Sequence, residues 1–243
     1  MLRNIKLEIE YDGTNFHGWQ VQPKLRTVQG EIEDRINTIL SQQAKLVGSG
    51  RTDVGVHALG QVANFQTESR LGVETIRKAL NGLLPEDIVI RNADEVDLDF
   101  NARYSARSRV YSYRICVGRT AIPRRYVWEV LYSLNLDRLL QATCEIEGEH
   151  DFSSFCVAAS AKDNNTCRII SAFWEMRDKE LIFRIEADRF LHTMVRSLVG
   201  TLIEVGRGYF SDAEFVDIMK SKDRRKAGPT APARGLCLVE VKY

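Results

Sequence analysis

The sequence predicts an α+β fold made of two ferredoxin-like halves, and three observations carry that expectation. Short runs alternate apolar and polar residues at period two, as half-buried strands do. Between them lie stripes at helical spacing. The order strand, helix, strand, strand, helix, strand then occurs twice along the 243 residues.

In the first half, Ile5, Leu7, Ile9 and Tyr11 alternate with polar residues and predict a strand. Val28, Ile32, Ile36 and Ile39/Leu40 follow at helical spacing behind Thr27, a suitable N-cap. Residues 44–48 and 60–67 read as strands flanking a glycine-rich loop. Val73, Ile76, Leu80 and Leu83 mark a second helix, and 87–91 a closing strand. In the second half, 109–117 reads as a strand with Tyr111, Tyr113, Ile115 and Val117 on one face. A helix is expected over 136–146, and a hairpin over 167–176 and 181–187 that turns at Asp178-Lys179. Leu191, Val195, Leu198 and Leu202 form a helical stripe. A shorter helix follows near 213–219, and 236–243 ends the chain as a strand. The halves divide as 1–105 and 106–243. Their two antiparallel sheets are expected to join at an edge into one central sheet, with the site in the cleft between halves.

Composition narrows the function classes. The chain is 44% hydrophobic and 28% charged, as ordinary globular proteins are. No apolar run approaches the roughly 20 residues of a membrane helix. The N-terminus enters a strand pattern at once and lacks the apolar core of a signal peptide, so a cytoplasmic location is expected. Cys116, Cys144, Cys156, Cys167 and Cys237 are odd in number and dispersed, which argues for buried free thiols over a disulfide framework. His17, His57, His150 and His192 are equally scattered, and no metal is expected.

Net charge is +1, but its distribution is uneven. Arg103, Arg107, Arg109, Arg114, Arg119, Arg124 and Arg125 fall between Phe100 and Trp128, a stretch without a single Asp or Glu. Such a stretch is either a footprint for a phosphate backbone or a surface over which neighbouring acids fold back. Residues 220–226 hold five basic side chains against one acid and pose the same choice: RNA contact or a solvated helix end.

The most informative segment is Gly48-Ser49-Gly50-Arg51-Thr52-Asp53-Val54-Gly55-Val56-His57-Ala58. Its glycines make a tight loop between two strands. It lacks the G-K-[ST] ending of a phosphate-binding loop, which argues against a nucleotide enzyme of that type. Read from the residues alone, Asp53 either caps its own turn or carries chemistry beside Arg51.

This segment resembles the G-R-T-D-x-G-V-H-A motif of the tRNA pseudouridine synthase A family. Further motifs match in order. Tyr11-Asp12-Gly13-Thr14-Asn15-Phe16-His17-Gly18-Trp19-Gln20-Val21-Gln22 with Thr27-Val28-Gln29 is similar to the family's N-terminal signature. Phe100-Asn101-Ala102-Arg103 and Arg109-Val110-Tyr111-Ser112-Tyr113 resemble its F-x-A-R and R-x-Y-x-Y elements. His150-Asp151-Phe152-Ser153-Ser154-Phe155, Phe190-Leu191-His192-Thr193-Met194-Val195-Arg196 and Ala231-Pro232-Ala233-Arg234-Gly235-Leu236 match later ones. Between about 118 and 147 the likeness is loose.

The resemblance implies a pseudouridine synthase fold and isomerisation of uridine in the anticodon arm of tRNA, at positions 38 to 40. It implies a homodimer with tRNA lying across both subunits, and no small-molecule cofactor. Asp53 is then the nucleophile. Arg51 would fill the gap left by a flipped-out base or hold its phosphate, and Tyr111 would stack on the target base. Arg196, inside the most apolar helix, would pair with Asp53 and keep it ionised. Arg103 and Arg109 would contact RNA. Asp12, Trp19, His57, His150 and Asp151 take structural roles in turns, packing and RNA-facing loops. The rival is a non-catalytic RNA-binding module, since Arg109 to Tyr113 faintly resembles an RRM stacking face. That reading lacks the glycine expected after the basic residue and leaves the Arg51-Thr52-Asp53 loop without a purpose.

Overall fold

The computed structural model describes residues 1–157 and 164–243. In chain order the described elements are β1 (Arg3–Tyr11), α1 (Val28–Leu40), β2 (Val47–Gly48), β3 (His57–Thr67), α2 (Val73–Leu83), β4 (Ile88–Val96) and β5 (Ser108–Val117). There follow β6 (Trp128–Val130), α3 (Leu136–Cys144), β7 (Gly148–Asp151), β8 (Thr166–Arg177), β9 (Glu180–Ala187), α4 (Met194–Arg207), α5 (Asp212–Ser221) and β10 (Leu236–Lys242). The α+β class expected from the sequence is the class observed. The chain forms two compact units, Met1–Arg107 with Cys237–Tyr243, and Ser108–Leu236.

In the first unit β1 to β4 lie in the order β4-β1-β3-β2 and pair antiparallel, which is the ferredoxin-like arrangement. Ile5, Leu7 and Ile9 of β1 are fully buried, as their alternation demands. Val28, Ile32 and Ile36 of α1 and Ile76 and Leu80 of α2 are buried too. The Thr27 hydroxyl accepts the Gly30 amide at 3.3 Å and starts α1.

β3 starts three residues earlier than expected, at His57, and two further strands differ in length. The pattern over 44–48 yields only Val47–Gly48, because side chains of α1 take the amides before it. Asn37 Oδ1 accepts the Ala44 N–H at 2.7 Å and Glu33 Oε1 the Leu46 N–H at 2.8 Å. In contrast, β4 runs on to Val96 through polar residues, bound to β1 by the cross-strand ion pairs Arg91–Glu10, Lys6–Asp94 and Arg3–Glu95.

The C-terminal strand belongs to the first unit, which corrects its placement in the second half. Cys237 and Leu238 pair in parallel with His57 and Ala58 of β3. The Tyr243 ring then lies tilted against Phe100, with centroids 5.0 Å apart, and its hydroxyl donates to the Ala102 carbonyl at 2.9 Å.

In the second unit the order is β5-β9-β8-β7, antiparallel, with β6 parallel to β5. The β8–β9 hairpin turns at Asp178-Lys179 as expected, with Asp178 at φ 55°. Tyr111, Tyr113 and Ile115 are buried, while Val117 at the strand end is exposed. The short β6 and β7 were not expected; three or four residues are too few for a period to register. Asn135 caps α3, and Ser211 with Glu214 forms a capping box on α5. Almost all of α4 is buried. Among the described residues no helix is long and apolar enough to cross a membrane.

Candidate active site

The loop carrying Arg51 and Asp53 is anchored at its entry, middle and exit. At the entry, the Ser49 hydroxyl donates to Gln61 Oε1 at 2.7 Å, and Gln61 Nε2 donates to the Gly50 carbonyl at 3.1 Å. Ser49 also donates its amide to the Val62 carbonyl, which ties the entry to β3. In the middle, the Thr52 carbonyl accepts the Trp19 amide at 3.1 Å, and the Thr52 and Tyr11 hydroxyls share a hydrogen bond of 2.8 Å. Gly18 makes the Trp19 contact possible. It sits at φ +83°, and a side chain there would meet the Thr52 carbonyl at 2.7 Å.

At the exit, the Val56 amide closes a turn onto the Asp53 carbonyl at 3.2 Å. His57, buried at the start of β3, sets its Nδ1 3.0 Å from Asp12 Oδ1 and 3.1 Å from the Gly13 amide. The N-terminal signature is therefore the bed on which the Asp53 loop lies. Asp12, Trp19 and His57 serve the turn and packing roles expected of them.

This bed sorts the three central side chains by exposure: Arg51 is exposed, Thr52 buried and Asp53 half-buried. The Asp53 carboxylate is thus half-buried on a backbone fixed on both sides. Arg103, in the same unit, is exposed on a turn where Asn101 Oδ1 accepts the Arg103 and Tyr104 amides. Its guanidinium lies over the Tyr104 ring at 5.7 Å.

The second unit holds the other candidates. Tyr111 of β5 is 8% exposed and meets Phe190 edge-on, with centroids 5.1 Å apart. Arg109 donates from Nη1 to the Asp188 carbonyl at 2.8 Å. Arg196, half-buried near the start of α4, donates from Nε to the Ala231 carbonyl at 2.8 Å. Tyr113 lies close by and donates its hydroxyl to the Pro232 carbonyl at 2.7 Å. Burial pushes its phenol far above the ordinary range, against the pull of Arg196 and Arg234. The sequence did not single out Tyr113, Phe190 or the Tyr11–Thr52 pair. Alternation had put both tyrosines on buried strand faces, but the partners of their hydroxyls lie far away in sequence.

The arginine-rich stretch is less uniformly available than its composition suggested. Arg114 makes a bidentate pair with Glu180, and Arg109 is engaged by the strand exit. Arg103, Arg107, Arg119, Arg124 and Arg125 are exposed. Several of the basic residues at 220–226 also serve the fold. Lys222 pairs with Asp151, Arg225 with Asp223, and Arg224 donates to the Gly228 carbonyl. Burial would raise the Asp151 carboxyl, but Lys222 and Ser153 outweigh it and hold it below the usual range. Cys116, Cys156 and Cys167 are buried, the last with its thiol pushed up to about 12 by burial. Cys144, the last residue of α3, is exposed and Cys237 half-buried, so burial holds for only three of the five thiols. Among the described residues no group of three His, Cys, Asp or Glu could hold a metal ion.

A family model described as tRNA pseudouridine synthase matches residues 8–105 and 142–243. The chain is 49% identical over 245 residues to tRNA pseudouridine synthase A of Caldicellulosiruptor saccharolyticus, covering 100% of both proteins. It is 45% identical over 244 residues to the protein of that name from Acetivibrio thermocellus, and 42% to that from a Thermoanaerobacter species, again over 100% of each. These full-length matches also span 106–141, which holds Arg109 and Tyr111 and lies between the two stretches of the family model. The chain belongs to the tRNA pseudouridine synthase family.

Proposed function

We propose that this enzyme converts uridine to pseudouridine in the anticodon arm of tRNAs, at positions 38 to 40, with Asp53 as nucleophile. The observation that carries the reading is full-length identity of 49% to a tRNA pseudouridine synthase A. The G-R-T-D-V-G-V-H-A segment also lies on a loop pinned by Tyr11, Trp19, Gln61 and His57.

The reaction is an internal rearrangement. The N1–C1′ bond of uridine breaks, the base turns, and C5 joins C1′. The proton leaves C5 for solvent and N1 takes one up, so no electron or group is exchanged with a co-reactant. A stacked uridine is out of reach, so the target nucleotide must leave the stack. In this reading Arg51, exposed beside the acid, fills the gap or holds the phosphate. Tyr111 offers its ring to the base, where stacking contributes about 1–3 kcal/mol without selecting among bases. Arg196 contributes a fixed positive charge to the chemistry. Arg103 and Arg109 act on the RNA backbone, in a cytoplasmic homodimer with tRNA across both subunits.

Tritium release from tRNA labelled at uridine C5, joined to mapping of pseudouridines, tests the proposal. Release with pseudouridine appearing at positions 38 to 40, with chelator present and no nucleotide added, is the expected result. Modification elsewhere in the tRNA would refute the positional assignment, and a requirement for metal would refute the cofactor-free chemistry.

A further inference from the structure

We infer that Tyr11 and Thr52 are positioning residues for the nucleophile, acting through one buried hydrogen bond between their hydroxyls. The inference rests on the reading of Asp53 as nucleophile. The two oxygens are 2.8 Å apart, and the residues are 3% and 7% exposed. They are 41 positions apart in sequence and meet because β1 ends where the loop crosses it.

Thr52 is the residue between the two candidate functional side chains. Its carbonyl is fixed by the Trp19 amide, and the next carbonyl, that of Asp53, by the Val56 amide. Backbone bonds thus define the two peptide planes around Asp53, and a side-chain constraint toward β1 adds to them. The hydroxyl pair supplies that constraint. It draws Thr52 inward and sets the opposite disposition for Arg51 and Asp53, which are exposed and half-buried. Tyr11 is itself immobilised, with its ring tilted against Trp19 at 6.1 Å and its backbone paired to Ala58 and Ile88. A buried hydroxyl that loses this partner has a cost that a shift of the loop can relieve, and such a shift moves Asp53. A threonine is suited to the position, because its methyl packs while its hydroxyl bonds.

The test compares Thr52→Val, which keeps the shape and removes the hydroxyl, with Thr52→Ser, which keeps the hydroxyl. Tyr11→Phe and the Tyr11→Phe/Thr52→Val double variant complete the cycle, and Asp53→Asn is run in parallel. Single-turnover tritium release from C5-labelled tRNA and filter binding of the same tRNA are measured for each. Thr52→Val and Tyr11→Phe are expected to slow release by about 10- to 100-fold, since a small misplacement of a catalytic group has effects of that order. Their tRNA affinity should stay within about twofold, the double variant should be no slower than either single one, and Thr52→Ser should restore most of the rate. Normal release by Thr52→Val and Tyr11→Phe, with Asp53→Asn inactive, overturns the positioning role and leaves the nucleophile in place. Serine as slow as valine, or losses of affinity equal to the losses of rate, likewise overturns it. Release by Asp53→Asn at the normal rate overturns the nucleophile and the inference together.

Discussion

Arg196 and Ala231 exchange two hydrogen bonds. The arginine Nε donates to the Ala231 carbonyl at 2.8 Å, and the Ala231 amide donates to the Arg196 carbonyl at 3.1 Å. One side chain therefore serves the fold and the proposed chemistry, since Nε is committed to the C-terminal segment of its unit. Lysine keeps the charge but has no second donor in a rigid fork. Arg196→Lys should lower stability by about 1.5–3 kcal/mol through the lost charged hydrogen bond. It should also slow pseudouridine formation by about tenfold or more, a change of at least ~1.4 kcal/mol in barrier. Urea unfolding and tritium release check the two effects; a full rate with reduced stability would confine Arg196 to the fold.

The same segment presses on α4 at a glycine. A Cβ at Gly200 would meet the Pro229 carbonyl oxygen, a backbone atom, at 1.7 Å, with no flexible group to yield. Gly200→Ala should destabilise the protein by about 1–3 kcal/mol as overpacking does. Gly50, with nothing within 4 Å of the same position, is the control, and Gly50→Ala should shift stability by no more than about 0.5 kcal/mol. Equal urea midpoints for the two variants would contradict this packing.

Local pattern made most of the fold legible. Period-two alternation located β1, β3, β5 and the β8–β9 hairpin, and Thr27 marked the start of α1. The failures share a cause: partners remote in sequence. Nothing near Ala44 announces that Asn37 and Glu33 take the amides of that strand. Nothing in 236–243 shows that it pairs with His57 and Ala58. As candidates, family resemblance named Asp53, Arg51, Tyr111 and Arg196 but was silent on what holds each of them. The Tyr11–Thr52 bond spans 41 positions, and the Tyr113–Pro232 bond 119. Sequence periodicity records which face a residue occupies, not which distant group its polar atom meets.

Tyr111 separates stacking from proton transfer. Its ring is packed edge-on against Phe190, and phenylalanine would preserve that contact. Tyr111→Phe should therefore keep most of the activity. Tyr111→Ala should lose at least about 100-fold, the equivalent of ~2.7 kcal/mol in barrier. It should also lower stability by about 3–5 kcal/mol, as buried aromatic truncations do. Release rates measured at a temperature where both variants are folded provide the comparison. Equal and severe losses would assign the phenol a chemical role.

Arg103 and Arg107 are exposed cations within a stretch free of acids. If they neutralise phosphates, tRNA binding should weaken steeply with salt because each contact releases counterions. Reversing both to glutamate should weaken binding to every tRNA alike and reduce the slope of log affinity against log salt by about 2. Binding titrations across salt concentrations read this directly. A slope that does not change would place the RNA on other residues.

Asp53→Asn decides between enzyme and binding module. Asparagine keeps nearly the same volume and caps turns as well as aspartate does, so a structural Asp53 would tolerate the change. The turn itself depends on the Asp53 carbonyl, which accepts the Val56 amide and is unaltered by the substitution. Folding should therefore persist, and a melting temperature within a few degrees of wild type would show that it does. Affinity for tRNA should hold or rise, because removing a negative charge cannot weaken long-range attraction to a polyanion. Pseudouridine formation, in contrast, should fall by orders of magnitude, since the neutral amide is no nucleophile. Tritium release and filter binding on the same tRNA preparation separate these effects. Near-normal release would remove Asp53 from the chemistry, whereas release abolished with binding intact is the signature of a catalytic carboxylate.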